Sequence, residues 1–131
     1  MAFNDLFSPI KIRGMEIRNR IEFPAMGTKM VKDEKVVTDQ LINYHAARSL
    51  GGNGLNFTEV CSVYDKAAPK NFLALSDDKY IPGMKKLADA IHEGGAKAGV
   101  QLWLGGSAVL FGDQTSMVVV PSDFKVEGTD Y

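Results

Sequence analysis

Cysteine is nearly absent: among 131 residues, Cys61 stands alone. A lone thiol cannot close a disulfide within the chain, and no Cys/His cluster has zinc spacing. Disulfide and structural-zinc frameworks are therefore excluded, and the reducing cytoplasm is the expected compartment. Excess charge of one sign is missing too. The 15 Lys and Arg and 16 Asp and Glu leave a formal net charge of −1, and no block of like charge accumulates, so neither nucleic acid nor an anionic membrane is an expected partner. Apolar runs never exceed a few residues, far short of the roughly 20 that span a bilayer. Residues 1–10, with Asp5 and Pro9, lack the basic cap and apolar stretch of a signal peptide. What is present, 45% apolar and 24% charged residues, is the composition of one folded, soluble domain rather than of a disordered, collagen-like or coiled-coil chain.

Periodicity and glycine punctuation then divide the chain. Ile10–Ile17 alternates apolar and polar residues around Arg13-Gly14, which predicts a short hairpin turning at the glycine, with residues 1–19 forming a lid. Arg20–Pro24 reads as a strand that Pro24 ends, because proline has no N–H for the next ladder bond. Thr38-Asp39 opens a helix that runs to Leu50 and stops at Gly51-Gly52. Leu55–Val60 follows as a buried strand, and residues 64–75 read as irregular. Ser76–Asp78 caps a second helix, on which Tyr80, Met84, Leu87, Ala88 and Ile91 fall at i, i+4, i+7, i+8 and i+11. Gly94-Gly95 ends it, and Ala98–Trp103 gives a third strand. Counted from Ile21, Leu55 and Ala98, the strands start 34 and 43 residues apart, as in βαβ crossovers of about 30 or more residues, so the expected class is α/β with a parallel sheet. Three strands and two helices occupy residues 20–107. Residues 108–131 form an irregular tail in which Met117–Val120 is the one strand candidate.

Ligands of parallel α/β sheets gather at the C-terminal strand ends. Here those ends are Pro24–Thr28, Thr58–Ser62 and Gln101–Gly106. Small residues and glycines there admit a flat ligand close to backbone N–H groups, although glycines after strands also serve simply as loop punctuation. Gln101 offers both a donor and an acceptor to a heterocyclic edge. Other chemistry-bearing residues have plainer roles. Glu59 reads as a ligand contact or as the partner of a neighbouring cation, Cys61 as an inert buried thiol, and Trp103 as a packing residue. His45 lies mid-helix and His92 near a helix end, and neither reads as catalytic.

Leu6–Ile12, Arg18–Ile21, Pro24–Met26, Tyr44–Arg48, Gly54-Leu55, Thr58-Glu59, Lys85–His92, Gly95–Lys97 and Gln101–Trp103 are collinear with the opening of the Old Yellow Enzyme group of FMN-dependent NADH:flavin oxidoreductases, which the chain resembles over nearly its whole length. Within that group it is most similar to the 2,4-dienoyl-CoA reductase and bile-acid 3-oxo-Δ4 reductase branch. The resemblance implies a TIM (β/α)8 barrel whose N-terminal end is plugged by a hairpin, with FMN at the C-terminal mouth. It places Pro24, Ala25, Met26 and Gly27 against the isoalloxazine ring, Val60 near the pyrimidine side and Gln101 on the polar edge. It also implies hydride transfer from NAD(P)H through FMN to an activated alkene such as an enoyl or dienoyl thioester. Such a barrel takes about 250 residues, so the chain is expected to supply only the first three βα units, an incomplete barrel. The catalytic residues and the phosphate grip would then belong elsewhere. Leu104 and Ser107 stand where family members often carry His and Arg. The expectation is thus an N-terminal fragment, inactive alone, that forms homo-oligomers or pairs with a complementary C-terminal fragment. A catalytically inactive binding or assembly module is the alternative. An independent nucleotide-binding domain is disfavoured, since no Gly-x-Gly-x-x-Gly or P-loop pattern occurs.

Overall fold

The computed structural model describes residues 3–32 and 34–104. From the N-terminus, Asn4–Phe7 make a single helical turn (α1), and Ile10–Ile12 (β1) pairs antiparallel with Met15–Ile17 (β2). The hairpin turns where expected, but the residue in the left-handed region is Arg13, at φ 52°, rather than Gly14. There follow β3 (Glu22–Phe23), α2 (Asp39–Leu50), β4 (Leu55–Ser62), β5 (Leu73–Ala74), α3 (Ile81–Glu93) and β6 (Lys97–Trp103). The expected strand at Met117–Val120 and the tail at 108–131 lie outside the described residues.

β4 is the spine. β6 lies along one of its edges from Leu55 to Ser62, while β3 and β5 share the other, β3 beside Leu55-Asn56 and β5 beside Cys61-Ser62. Each of these three pairings with β4 is parallel, as the crossover spacing predicts. Residues 64–75, expected to be irregular, in fact contain a short 3-10 turn at Asp65–Ala67 and the strand β5. A two-residue strand leaves no period to read, and only the free edge of β4 makes it one.

Local chemistry sets the helix boundaries. Thr38 is extended, at φ −103° and ψ 157°, and its side chain accepts from the Leu41 N–H, capping α2. The second helix starts later than expected: Asp77 caps a 3-10 turn over Asp78–Tyr80, and α3 begins only at Ile81. Pro82 explains the delay, because a residue without an N–H is tolerated only in the first turn.

The core lies between the helices and one sheet face. Leu41 from α2, Leu87 and Ile91 from α3, Cys61 and Leu73 from the sheet, and Val31 and Ala96 from loops form one buried cluster. Ala98 and Val100 of β6 pack against it. The hairpin sits at the N-terminal strand ends, where Ile10, Ile12 and Ile17 line a pocket with Ile21 and Leu55. Among the described residues no helix is long and apolar enough to cross a membrane.

Candidate functional site

Alternation of side chains fixes what faces away from the helices. Asn56 bonds into α2, and Cys61 belongs to the core, so the neighbouring Phe57 and Val60 present to the other side of the sheet. On β6, Val100 packs on the core, which turns Gln101 to that same side. Val60 and Gln101 are direct register partners, as are Phe57 and Gly99. Between these two pairs the ladder slips, with three steps on β4 against two on β6, the signature of a bulge that re-aims the strand end. Gly99 is required by its neighbour: a Cβ there would stand 2.6 Å from the Phe57 ring.

The segment Pro24–Gly27 leaves β3 along the opposite edge of β4, so Val60 stands between it and Gln101. Pro24, Met26, Gly27 and Gln101 are exposed, and Ala25 and Val60 are half-buried. A Cβ on Gly27 would meet nothing within 4 Å. Of the six sequence candidates, Val60 and Gln101 are thus in register on one face, and Pro24–Gly27 follow β3, which pairs with the other edge of β4. They carry no formal charge, and the Gln101 amide makes no side-chain hydrogen bond among the described residues. A flat, uncharged, hydrogen-bonding ring system fits such a surface.

What lies beneath this segment is less expected. The Glu59 carboxylate, 2% exposed, accepts the Thr28 backbone N–H at 2.6 Å and the Thr28 hydroxyl at 2.7 Å, both on Oε2. Its Oε1 is buried without a partner among the described residues. The cation expected beside Glu59 is not found there, since the ion pairs of the described residues join Lys11 to Glu16, Lys79 to Asp65 and Lys85 to Asp89. Thr28 also receives the Met30 N–H on its hydroxyl, at 3.1 Å. Farther along the loop, buried Lys35 donates to the carbonyls of Asp65 and Ala68 at 2.6 and 2.8 Å, strapping the loop after β3 to the loop after β4. Asp65 in turn accepts from Ser76 and Tyr80. Burial opposes its charge, but these bonds together with Lys35 and Lys79 hold its carboxyl below the usual range. Nothing in the local sequence marks Thr28 or Lys35 as partners of residues about 30 positions away.

The remaining candidates take the plain roles expected of them. Burial, with a smaller push from Glu59, drives the Cys61 thiol up to about 12, so it stays protonated and unreactive. Trp103 packs edge-on against Phe72, with ring centroids 5.3 Å apart. His45 points into α2–β4 packing rather than toward the open face, with Nδ1 2.9 Å from Asn56 Oδ1.

A family model described as "NADH:flavin oxidoreductase / NADH oxidase family" matches residues 5–129. An NADH oxidase of Thermoanaerobacter brockii is 42% identical over 103 residues, which make up 76% of this chain and 16% of that protein. Among solved structures, the Old Yellow Enzyme of Pichia sp. AKU4542 superposes with a TM-score of 0.72 at 29% identity, covering 78% of this chain and 27% of that one. A 2-naphthoyl-CoA reductase in complex with 2-naphthoyl-CoA gives a TM-score of 0.77 at 28% identity, covering 80% and 16%. The chain thus spans about a sixth of the NADH oxidase and about a quarter of the Old Yellow Enzyme it matches.

Proposed function

Because the chain belongs to the NADH:flavin oxidoreductase / NADH oxidase family, we propose that it is the N-terminal portion of a cytoplasmic, FMN-dependent ene-reductase-type enzyme, comprising the first three βα units of an eight-stranded barrel. The observation that carries this reading is the register match of Val60 with Gln101 on the face turned from the helices, with Pro24–Gly27 along the other edge of β4. Bound FMN would supply the hydride chemistry that links NAD(P)H to the β-carbon of an activated alkene. The residues of this chain bind and orient the ring. Gly27 leaves open space for close approach, Pro24, Ala25, Met26 and Val60 give it an apolar bed, and the Gln101 amide matches a ring edge that both donates and accepts. An enoyl or dienoyl thioester is the favoured substrate class, supported by the acyl-CoA complex of the 2-naphthoyl-CoA reductase. In barrels of this kind the phosphate of FMN is gripped by the loops after strands 7 and 8, so the three units described here would contribute the ring-facing part of the site. Its partner is a complementary C-terminal portion or, without one, a second copy of itself.

An NMR titration tests the reading at affinities too weak for optical assays. Added to the 15N-labelled chain, FMN is expected to shift the amide signals of Ala25, Met26, Gly27, Val60 and Gln101 together. Absence of shifts at those positions would overturn it in favour of an assembly module that has lost the cofactor, a reading supported by the unpaired outer edge of β6 among the described residues.

A further inference from the structure

We infer that Glu59 is the positioning residue of the flavin-facing surface: through Thr28 it holds the Pro24–Gly27 segment in the shape that receives the ring. The inference rests on the proposed flavin site and deepens it. Pro24–Gly27 has few means of holding its own shape. Regular pairing of β3 ends at Phe23, and Pro24 has no N–H to continue a ladder. The first hydrogen bonds after β3 that reach β4 are those of Thr28, and both end on one carboxylate oxygen. Bonds to an ionised acceptor are the shorter and stronger kind, and at 2% exposure water does not compete for this one. The Thr28 N–H shares its peptide plane with the Gly27 carbonyl. In a trans peptide the two point opposite ways, so fixing the N–H on Glu59 turns the Gly27 carbonyl away from the carboxylate. Glu59 lies within the slipped register between Phe57 and Val60, and its chain neighbour is the candidate contact Val60. One residue therefore ties both edges of the candidate surface together: it is part of the strand that bears Val60, and it anchors the segment that bears Gly27.

A purely structural carboxylate would matter only to folding. The arrangement predicts something narrower. Glu59→Ala releases the Thr28 amide to solvent exchange and weakens FMN binding at least about tenfold, the loss expected when a charge-assisted bond disappears. Core amides such as those of Leu87 and Ile91 stay protected. Glu59→Gln, which keeps an acceptor oxygen but no charge, restores part of the affinity. Thr28→Val, which leaves the carboxylate and the N–H in place and removes only the hydroxyl, falls between the two. The measurements are amide hydrogen exchange and FMN-induced NMR shifts on the same labelled chains. If Glu59→Ala leaves Thr28 exchange unchanged, or releases it while FMN binds as in the wild type, the positioning role is wrong and the flavin site stands. If the wild-type chain shows no FMN shifts, the flavin site itself is wrong and this role falls with it.

Discussion

A histidine buried in a helix must settle both ring nitrogens, and His45, 1% exposed, settles only one. Asn56 donates through Nδ2 to the His45 carbonyl and to Ser49 Oγ, which leaves its Oδ1 as the acceptor for His45 Nδ1–H. Nε2 is therefore the bare nitrogen, buried without a partner among the described residues. A proton there would be a charge without an acceptor. Desolvation accordingly lowers the His45 pKa, against the smaller opposing influences of Asn56 and Glu59 and with a small contribution from Arg48 in the same direction. The sign for stability follows. Below the usual imidazole value of about 6.5 the unfolded chain takes up a proton that the folded chain refuses, so stability falls with falling pH until the depressed folded value is reached. The melting temperature is expected to drop as the pH falls through the usual imidazole value of about 6.5, and to drop less in His45→Gln, which retains a donor for Asn56. Equal slopes for the two proteins would contradict this account. Residue-level features were legible in sequence where they follow from local pattern, as for the inert buried thiol of Cys61. Those that depend on a distant partner, as Thr28 does on Glu59, were not.

Among the elements, α3 shows best how much a pattern can say. Its apolar positions Leu87 and Ile91 are fully buried, and Met84 packs on the core beside them, while Lys85 and Asp89 pair in the open at i and i+4. Leu87→Ala is expected to cost about 2–5 kcal/mol, since deletion leaves a cavity walled by Leu41 and Ile91 of the same cluster. Asp89→Ala should cost less than about 1 kcal/mol, the scale of an exposed pair. Urea denaturation of both variants checks the contrast. Where elements meet, spacing matters as much as polarity: Gly94 lies so close to Ser49 of α2 that a side chain there would force the helices apart. The sequence located both helices because each is longer than two turns and has a readable face. It missed β5 because two residues carry no period, and it misplaced the start of α3 because the polar residues Ser76–Asp78 suit a cap for either kind of turn.

For the whole molecule the decisive feature is what the sheet leaves unpaired among the described residues. β4 is paired along both edges, whereas β6 bonds only to β4 among the described residues. Leu102 and Leu104, near the end of β6, are exposed beside that open edge. Free edges and uncovered apolar surface favour association. The isolated chain is expected to elute in light-scattering chromatography as a species heavier than one copy, and a concentration-independent monomer would contradict that. By itself the sequence determined the order of the three longer-spaced parallel strands and two main helices, and the family, because hydrophobic period, glycine punctuation and collinear motifs are local and survive without a fold. Tertiary structure alone decided that β3 and β5 share one edge of β4, that Val60 meets Gln101, and that a buried carboxylate holds Thr28. Each of these joins residues far apart along the chain, and only the packing of the sheet against its helices sets the distances between them.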